Sequence, residues 1–355
     1  MKLLVTGGCG FLGSNIVSFF LKKEAEIFII DNLSRKGSRE NLEWLKKQAK
    51  NSQLKFIRCD ISDEKSIDNI FKKYAPFSYI CHVAGQVAMT TSIENPFLDF
   101  STNLIGTFNI LEKTRKYSAN SLIAYSSTNK VYGDLDWIKK EEENNRYFLP
   151  EYPNGLDENL PLDFSTPYGC SKGGADQYVR DWARVYGLKT VVFRHSSIYG
   201  GRQYASYEQG WIGWFISQIL NQYHQSKVKN EINEFTISGN GKQVRDVLHA
   251  NDLVTLYESA FKNRNILNGE IFNIGGGLKN SLSILELISY IKEIQNINYV
   301  FYTNIERRKS DQDYFCADIN KAKRLLNWEP NISKEEGLNM MIEWINYSNK
   351  KIMNL

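Results

Sequence analysis

A short apolar run, KLLVT (2–6), passes directly into TGGCGFLGS (6–14) and on into FLGSNIVSFFLKK (11–23), where apolar residues recur at helical spacing. No other feature constrains the fold as strongly. A strand that turns at once through clustered glycines into a helix reads as the opening unit of a parallel sheet. Glycines permit a tight turn and a close approach of backbone to a ligand. The helix N-terminus behind them offers unpaired N–H groups and the positive end of a dipole, which suits a pyrophosphate. The loop satisfies GxGxxG through Gly8, Gly10 and Gly13, and GxxGxxG through Gly7, Gly10 and Gly13.

Strand-like and helix-like segments go on alternating. EIFIID (26–31), KFIRCD (55–60), SYICHVAG (78–85), SLIAYSS (121–127) and KTVVFRHSS (189–197) read as buried strands, and NLIGTFNILEKTRKY (103–117) as a helix. The rhythm predicts an α/β chain: a Rossmann-type doubly wound parallel sheet with a smaller, mixed C-terminal substrate-binding lobe. The expected division is 1–195 for the sheet domain, with a return segment at about 243–274, and the remainder of 196–355 for the lobe. The polar stretch 134–165 interrupts the rhythm and is expected to be a long surface excursion. NYVFY (298–302) is expected to be a strand of the lobe, beside two or three helices.

With 355 residues there is enough chain for two sizeable cores. The net charge of +4 comes from scattered residues, and short runs such as Lys139-Lys140 and Arg307-Arg308-Lys309 read as solvated faces. Nucleic acid is therefore not an expected partner. Cys9, Cys59, Cys81, Cys170 and Cys316 are odd in number and show no CxxC spacing, so neither a disulfide framework nor a metal site is expected, and a cytoplasmic location is. No apolar stretch approaches the ~20 residues of a membrane span.

The second strand ends at Asp31, where a carboxylate can accept hydrogen bonds from the adenosine ribose hydroxyls and repels a 2′-phosphate. NAD is the expected cofactor, with Arg35 keeping NADP formally open. Asp60, ending the third strand, is placed for the adenine. In YGCSK (168–172), Tyr168 and Lys172 lie four residues apart and share a helix face. Bringing a phenol from its reference value near 7 takes about 4 kcal/mol of differential stabilisation, which a neighbouring ammonium can help supply. Lys172 is also placed to hold the nicotinamide ribose. In SSTNKVYG (126–133), just after a strand, Thr128 can orient a sugar hydroxyl towards Tyr168. Thr128, Tyr168 and Lys172 are the expected catalytic residues. His82 and His249 are expected to be structural or near the cofactor.

Taken in order, the glycine loop, NLIGTFNIL, SSTNKVYG, PYGCSK, GNGKQVRDVLH (239–249), FNIGGG (272–277) and RKSDQ (308–312) resemble the extended short-chain dehydrogenase/reductase family, in its sugar-nucleotide epimerase and dehydratase branch. The resemblance covers nearly the whole chain. It is sharpest to the CDP-sugar 2-epimerases of that branch, through DNLSRKG (31–37), AGQVAMTTSI (84–93), FRHSSIYGGRQ (193–203), QGWIGWF (209–215) and FTISGNGKQVRDVLHA (235–250). The resemblance implies C2 epimerisation of a CDP-linked 3,6-dideoxyhexose by a homodimer or homotetramer. It implies NAD contacts from Gly7, Gly10, Phe11, Leu12, Gly13, Asp31, Asn32, Ser34, Arg35, Asp60, Ile61, Ala84, Gln86, Asn103, Ser126, Tyr168, Lys172 and His195. Substrate contacts are implied for Gln86, Thr128, Ser197, Gln203, Gln209, Trp211, Arg245 and Arg308. An ion pair with Asp246 is the alternative role for Arg245, and core packing that for Trp211 and Trp214.

Dehydratases of the branch typically carry Thr-Asp-Glu where this chain has Thr128, Asn129 and Lys130, and a carboxylate pair supplies their acid and base. Dehydration is therefore not expected. Alternatives to C2 epimerisation are epimerisation at C4 or of a UDP-sugar and, in another class, a catalytically silent NAD-binding regulator.

Overall fold

The computed structural model describes residues 1–50, 52–228, 232–308 and 310–353; Lys309, the end of the basic run, lies outside them. Seven strands form the central sheet: β1 (Lys2–Thr6), β2 (Glu26–Asp31), β3 (Leu54–Arg58), β4 (Tyr79–His82), β5 (Leu122–Thr128), β6 (Lys189–His195) and β7 (Glu270–Ile274). Their order is β7-β6-β5-β4-β1-β2-β3, and every pairing is parallel. The α/β expectation holds. β4 and β5 are buried at every position, as strands covered by helices on both faces must be.

Alternate side chains feed two cores. Leu3, Val5, Ile27 and Ile29 pack against the helices Phe11–Lys22 and Ala250–Lys262. Leu4, Phe28, Ile30, Ile80 and Ile123 pack against Glu64–Tyr74, Gly106–Tyr117 and Thr166–Tyr186. The strand order reverses between β1 and β4, which opens a crevice at the carboxyl ends of the strands.

The smaller lobe is built on the helices Trp211–Val228, Ile284–Ile294 and Lys334–Met353 around Phe215, Ile216, Leu287 and Met341. Three sequence expectations need correction. Strand Val244–His249 stays out of the central sheet and pairs with Ser197–Tyr199, Ser281–Ser283 and Tyr314–Phe315, so the return to the sheet begins at Ala250 rather than 243. We take the domain division with that change. The lobe strand is Tyr302–Ile305, paired with Phe235–Ser238, not 298–302: Tyr299 and Phe301 project into solvent. The stretch 134–165 is more than a surface excursion, because Leu135, Ile138, Leu149, Leu156 and Leu160 are buried with Phe315 and Cys316. Its backbone is tied down as Leu156 donates to Cys316 and accepts from Asp318.

One buried ion pair joins the layers. Arg194 on β6 donates from Nε and Nη2 to the two oxygens of Asp176 on helix Thr166–Tyr186, both at 2.9 Å, with side-chain exposures of 1% and 0%. Arg194 Nη1 donates to the Tyr132 hydroxyl at 2.9 Å, which donates to Asn273 of β7 at 2.7 Å, and Ser127 of β5 donates to Asp176 at 2.8 Å. Removing one partner strands a charge in the core, a defect that costs roughly 3–5 kcal/mol. Arg194→Met is therefore expected to lose about that much stability in urea unfolding. Arg194→Met combined with Asp176→Leu should recover part of it; equal loss in both variants would argue against the pair.

Candidate active site

Two adjoining cavities occupy the crevice. The first, about 400 Å³, is lined by Gly7, Gly10, Gly13, Phe11, Leu12, Asp31, Asn32, Ser34, Arg35, Asp60, Ile61, Ala84, Gln86, Ser126, Tyr168 and Lys172. The GxxGxxG reading of the loop is the one the fold uses. Gly7 sits at φ +68, and a Cβ there would lie 2.7 Å from Ala84 Cα; a Cβ on Gly13 would lie 2.1 Å from the Gly7 carbonyl oxygen. Gly8 instead packs on Ile29. Asp31 is held at the cavity edge by the backbone N–H groups of Cys9 at 2.9 Å and Leu33 at 2.8 Å. Asn32 donates to Asp60 at 2.8 Å, joining the ends of β2 and β3. Arg35 lines the same cavity, and burial lowers its guanidinium from the ordinary value against the opposing pull of Glu208. A narrow glycine cradle at a helix N-terminus with a fixed carboxylate beyond it fits a dinucleotide.

The second cavity, about 370 Å³, is lined by Thr128, Tyr168, His195, Ser197, Gln203, Gln209, Trp211, Arg245 and Arg308 among others. Phe11, Leu12, Ser126, Ser127, Tyr168, Gln203 and Gln209 border both cavities. Trp211 and Trp214 do both of their expected jobs, facing the cavity while packing on the lobe core. Trp211 also donates to Ser197 at 3.0 Å.

Four expectations change. His195 lines the second cavity rather than the first, and neither ring nitrogen has a hydrogen-bond partner among the described residues. Burial pushes its pKa down to about 3, so the ring is neutral. Asn103 lines neither cavity; it stands behind the first, bonded to both backbone groups of Gln86 and to Ser171 and Asp99. Gln86 lines only the first cavity, and its side chain is spent on Ala88 and Asp99. Arg245 does not pair with Asp246. It donates to Asp311 at 2.9 Å, while the fully buried Asp246 accepts from Gly277. His82 and His249 are structural: the first bonds Thr6 and Thr107, and the second caps helix Ala250–Lys262.

Tyr168 enters the crevice from the first turn of helix Thr166–Tyr186, with Pro167 at the turn's start. Thr166, just before it, has φ +64, a conformation that strains a β-branched residue by about 1–3 kcal/mol. Lys172, one turn on, bonds the Ser126 carbonyl and sits 4.3 Å from the centroid of the Tyr125 ring. The expected lowering of the phenol is not what this geometry produces. Burial raises Tyr168 to about 12, against smaller opposing effects of the Thr128 hydroxyl and Arg35. Burial likewise lowers Lys172 to about 7, although Asp176 and Asp99 oppose it.

Sequence reasoning missed Asp99, Lys130 as a contributor, Asp311 and Gln312. Lys130 and Asp311 line the second cavity and pair at 3.1 Å; Asp311 is held down at about 2 chiefly by Lys130 and Arg245 against the cost of burial. Asp311 lay within RKSDQ, the one signal that marked it.

Residues 4–341 match the family model described as GDP-mannose 4,6 dehydratase. The chain belongs to that family. A CDP-paratose 2-epimerase of Salmonella typhi is 52% identical, over 97% of this chain and 99% of that protein. A dTDP-glucose 4,6-dehydratase of Escherichia coli is 32% identical, over 99% and 94%. A solved UDP-glucose 4-epimerase of Thermotoga maritima superposes with a TM-score of 0.80 at 30% identity, covering 98% of this chain and 100% of that one.

The low value at Lys172 has a measurable consequence. Between about pH 7 and the ordinary lysine value of 10.5, the unfolded chain holds a proton at Lys172 that the folded chain has released, so this residue makes stability rise with pH. In cofactor-free protein, the stability difference between wild type and Lys172→Met should grow in favour of wild type from pH 7 to 9. A difference independent of pH over that range would show that Lys172 is not desolvated as described.

Proposed function

We propose that this protein converts CDP-paratose to CDP-tyvelose, epimerising C2 of a CDP-linked 3,6-dideoxyhexose through a transient 2-ketone. The observation that carries the reading is the end-to-end likeness to the Salmonella typhi CDP-paratose 2-epimerase. The chemistry around Thr128 supports it. Asn129 and Lys130 are neutral and cationic, and the nearby Asp311 is locked as a charged carboxylate by Lys130 and Arg245. The three do not reproduce a carboxylic acid and carboxylate pair beside Thr128, so dehydration is disfavoured.

The C2–H of such a sugar has no adjacent carbonyl, and direct removal of its proton is unfavourable. NAD held in the first cavity would supply the hydride acceptor for oxidation and, once reduced, the donor for the return. Tyr168, at the border of the two cavities, is the protonated phenol in the cofactor-free chain; the positive charge of a bound nicotinamide would lower it, so that it takes the hydroxyl proton on oxidation and returns it on reduction. Thr128 orients the reacting hydroxyl towards that phenol. Lys172 holds the ribose side of the cofactor, Asp31 the adenosine hydroxyls, and the glycine loop the pyrophosphate. Arg245 and Arg308 grip the substrate diphosphate, for which guanidinium forks are suited. Ser197, Gln203, Gln209 and Trp211 face the sugar.

We also read the protein as a cytoplasmic homodimer or homotetramer. No helix among the described residues is long and apolar enough to cross a membrane. Phe108, Tyr178 and Tyr186 form an exposed aromatic face on helices Gly106–Tyr117 and Thr166–Tyr186, consistent with self-association.

Protein denatured after purification should release NAD and little NADP; predominant NADP would contradict the role of Asp31. Tyr168→Phe should keep its NAD and lose turnover by a factor on the order of 100 or more, the usual scale for a general acid–base. Substrate deuterated at C2 should give a 2-epimer that retains deuterium, and unlabelled substrate in heavy water should stay unlabelled at C2. Solvent deuterium entering C2 at the rate of epimerisation would replace hydride transfer with a deprotonation mechanism.

A further inference from the structure

The two residues that stand beside Thr128 in place of a carboxylate pair are both committed to one distant segment. Asn129 donates to Gln312 Oε1 at 2.7 Å, and Gln312 Nε2 donates to the carbonyls of Gly133 at 2.7 Å and Asn129 at 3.3 Å. Lys130 Nζ donates to Asp311 at 3.1 Å and to the Ser310 carbonyl at 3.3 Å. Ser165, three residues before Tyr168, donates to the Ser310 hydroxyl at 2.7 Å. From the other side Arg245 Nη2 reaches Asp311 at 2.9 Å and the Gln312 carbonyl at 2.7 Å. Gln312 is fully buried and lines no cavity, whereas Asn129, Lys130, Arg245, Arg308 and Asp311 all line the second.

We infer that Asn129, Lys130, Gln312 and the Ser165–Ser310 bond form a clamp that fixes the diphosphate-gripping arm, Arg245 with residues 310–312, at a set distance from Thr128 and Tyr168. The inference rests on the proposed function and adds to it a positioning role for residues outside the hydride-transfer set. Its physical basis is the demand of the reaction. A ketone that must present both faces to one hydride donor has to turn in the site, so it can be held firmly only through its nucleotide diphosphate. The anchor must then be rigid relative to the reacting pair, because a misplacement of about 1 Å at a reacting centre is enough to cost on the order of 100-fold in rate. A turn that carries the catalytic threonine and also bonds the anchor through a neutral amide pair and a part-buried ion pair provides that rigidity. The amides fix direction, and the ammonium shared between Asp311 and a carbonyl fixes distance.

The test compares wild type, Lys130→Met, Gln312→Leu and Ser165→Ala as NAD-loaded enzymes. The readouts are CDP affinity by titration calorimetry, kcat and KM with CDP-paratose, NAD content and the thermal unfolding midpoint. Lys130→Met and Gln312→Leu should each bind CDP about tenfold more weakly and lose on the order of 100-fold in kcat, with full NAD content. Ser165→Ala, which keeps the rest of the clamp, should show a severalfold loss of CDP affinity, and it carries the test should Gln312→Leu fail to fold. A merely structural role would lower the unfolding midpoint and leave CDP affinity and kcat at wild-type values; that result in folded Gln312→Leu or in Ser165→Ala overturns the clamp. An effect confined to Lys130→Met also overturns it, since Lys130 would then act by touching substrate. Wild-type protein that neither binds CDP nor turns over CDP-paratose, but epimerises another sugar nucleotide, displaces the functional reading alone; the same variants then score the clamp with that nucleotide.

Discussion

The pairing of Arg194 with Asp176 is the constraint on which the site's geometry depends. β5 and β6 deliver Thr128 and His195, and helix Thr166–Tyr186 delivers Tyr168 and Lys172. Apolar contacts such as Val179 and Trp182 against the sheet press these layers together, but they leave sliding and rotation weakly opposed. Two parallel hydrogen bonds between a planar guanidinium and a planar carboxylate define a direction as well as a distance. Tyr132 and Asn273 extend the same network to the edge strand, and Ser127 extends it to the residue before Thr128. Helix rotation, which decides where the phenol points, is thereby tied to the strand that carries the threonine.

Burial then sets the electrical state of the reacting groups. Tyr168 is held protonated and Lys172 is brought close to neutrality, both mainly because the surroundings are poor at solvating charge. Asp99, which opposes that trend at Lys172, is itself raised by burial and is bound by Ser171, Gln86 and Asn103. Asn103 is thus better understood as part of the support for this carboxylate and for the Gln86 backbone than as a contact of the cofactor. His195 is neutral for the same reason, and neither of its ring nitrogens has a hydrogen-bond partner among the described residues.

What was legible in the sequence was what periodicity and local spacing encode. Buried strands are apolar runs, the glycine loop is contiguous, and Tyr168 and Lys172 lie one helical turn apart. The sheet and its crevice followed from these; most of the residues expected at the two cavities came from the family resemblance. What was not legible depends on polar pairs that are remote in the chain. Lys130 and Asp311 are 181 residues apart and Asn129 and Gln312 are 183, and neither pair leaves a periodic trace. The Asp246 ion pair offered as the alternative role of Arg245 does not form, because adjacent residues on a strand point to opposite faces: Asp246 faces the buried Gly277 side and Arg245 the cavity. The stretch 134–165 misled through composition, its polar majority concealing five aliphatic side chains spaced to cover Phe315 and Cys316. The choice between glycine patterns needed the third dimension, since only the packing of Gly8 on Ile29 and of Gly13 on Gly7 distinguishes them.

Under the proposed function, the two halves of the second cavity differ in a way that follows from what each must do. At one end the side chains are cationic and fixed, Arg245 by Asp311 and Arg308 stacked on Tyr207 at 4.7 Å. Around the proposed sugar position Ser197, Gln203 and Gln209 share the wall with Val87, Met89, Trp211, Trp214 and Phe215, whose contacts have little directional preference. Dispersion and burial hold a ring against such a wall without specifying its orientation, whereas hydrogen bonds from every side would lock one face towards the cofactor. Strong binding at the diphosphate and weakly directional binding at the sugar are the combination that lets a ketone turn over without leaving. A dehydratase has no such need, because its sugar keeps one orientation while acid and base act in sequence. The exchange of two carboxylates for Asn129 and Lys130 therefore changes more than acid–base capacity: the positions that would have acted on the sugar are spent on holding its anchor.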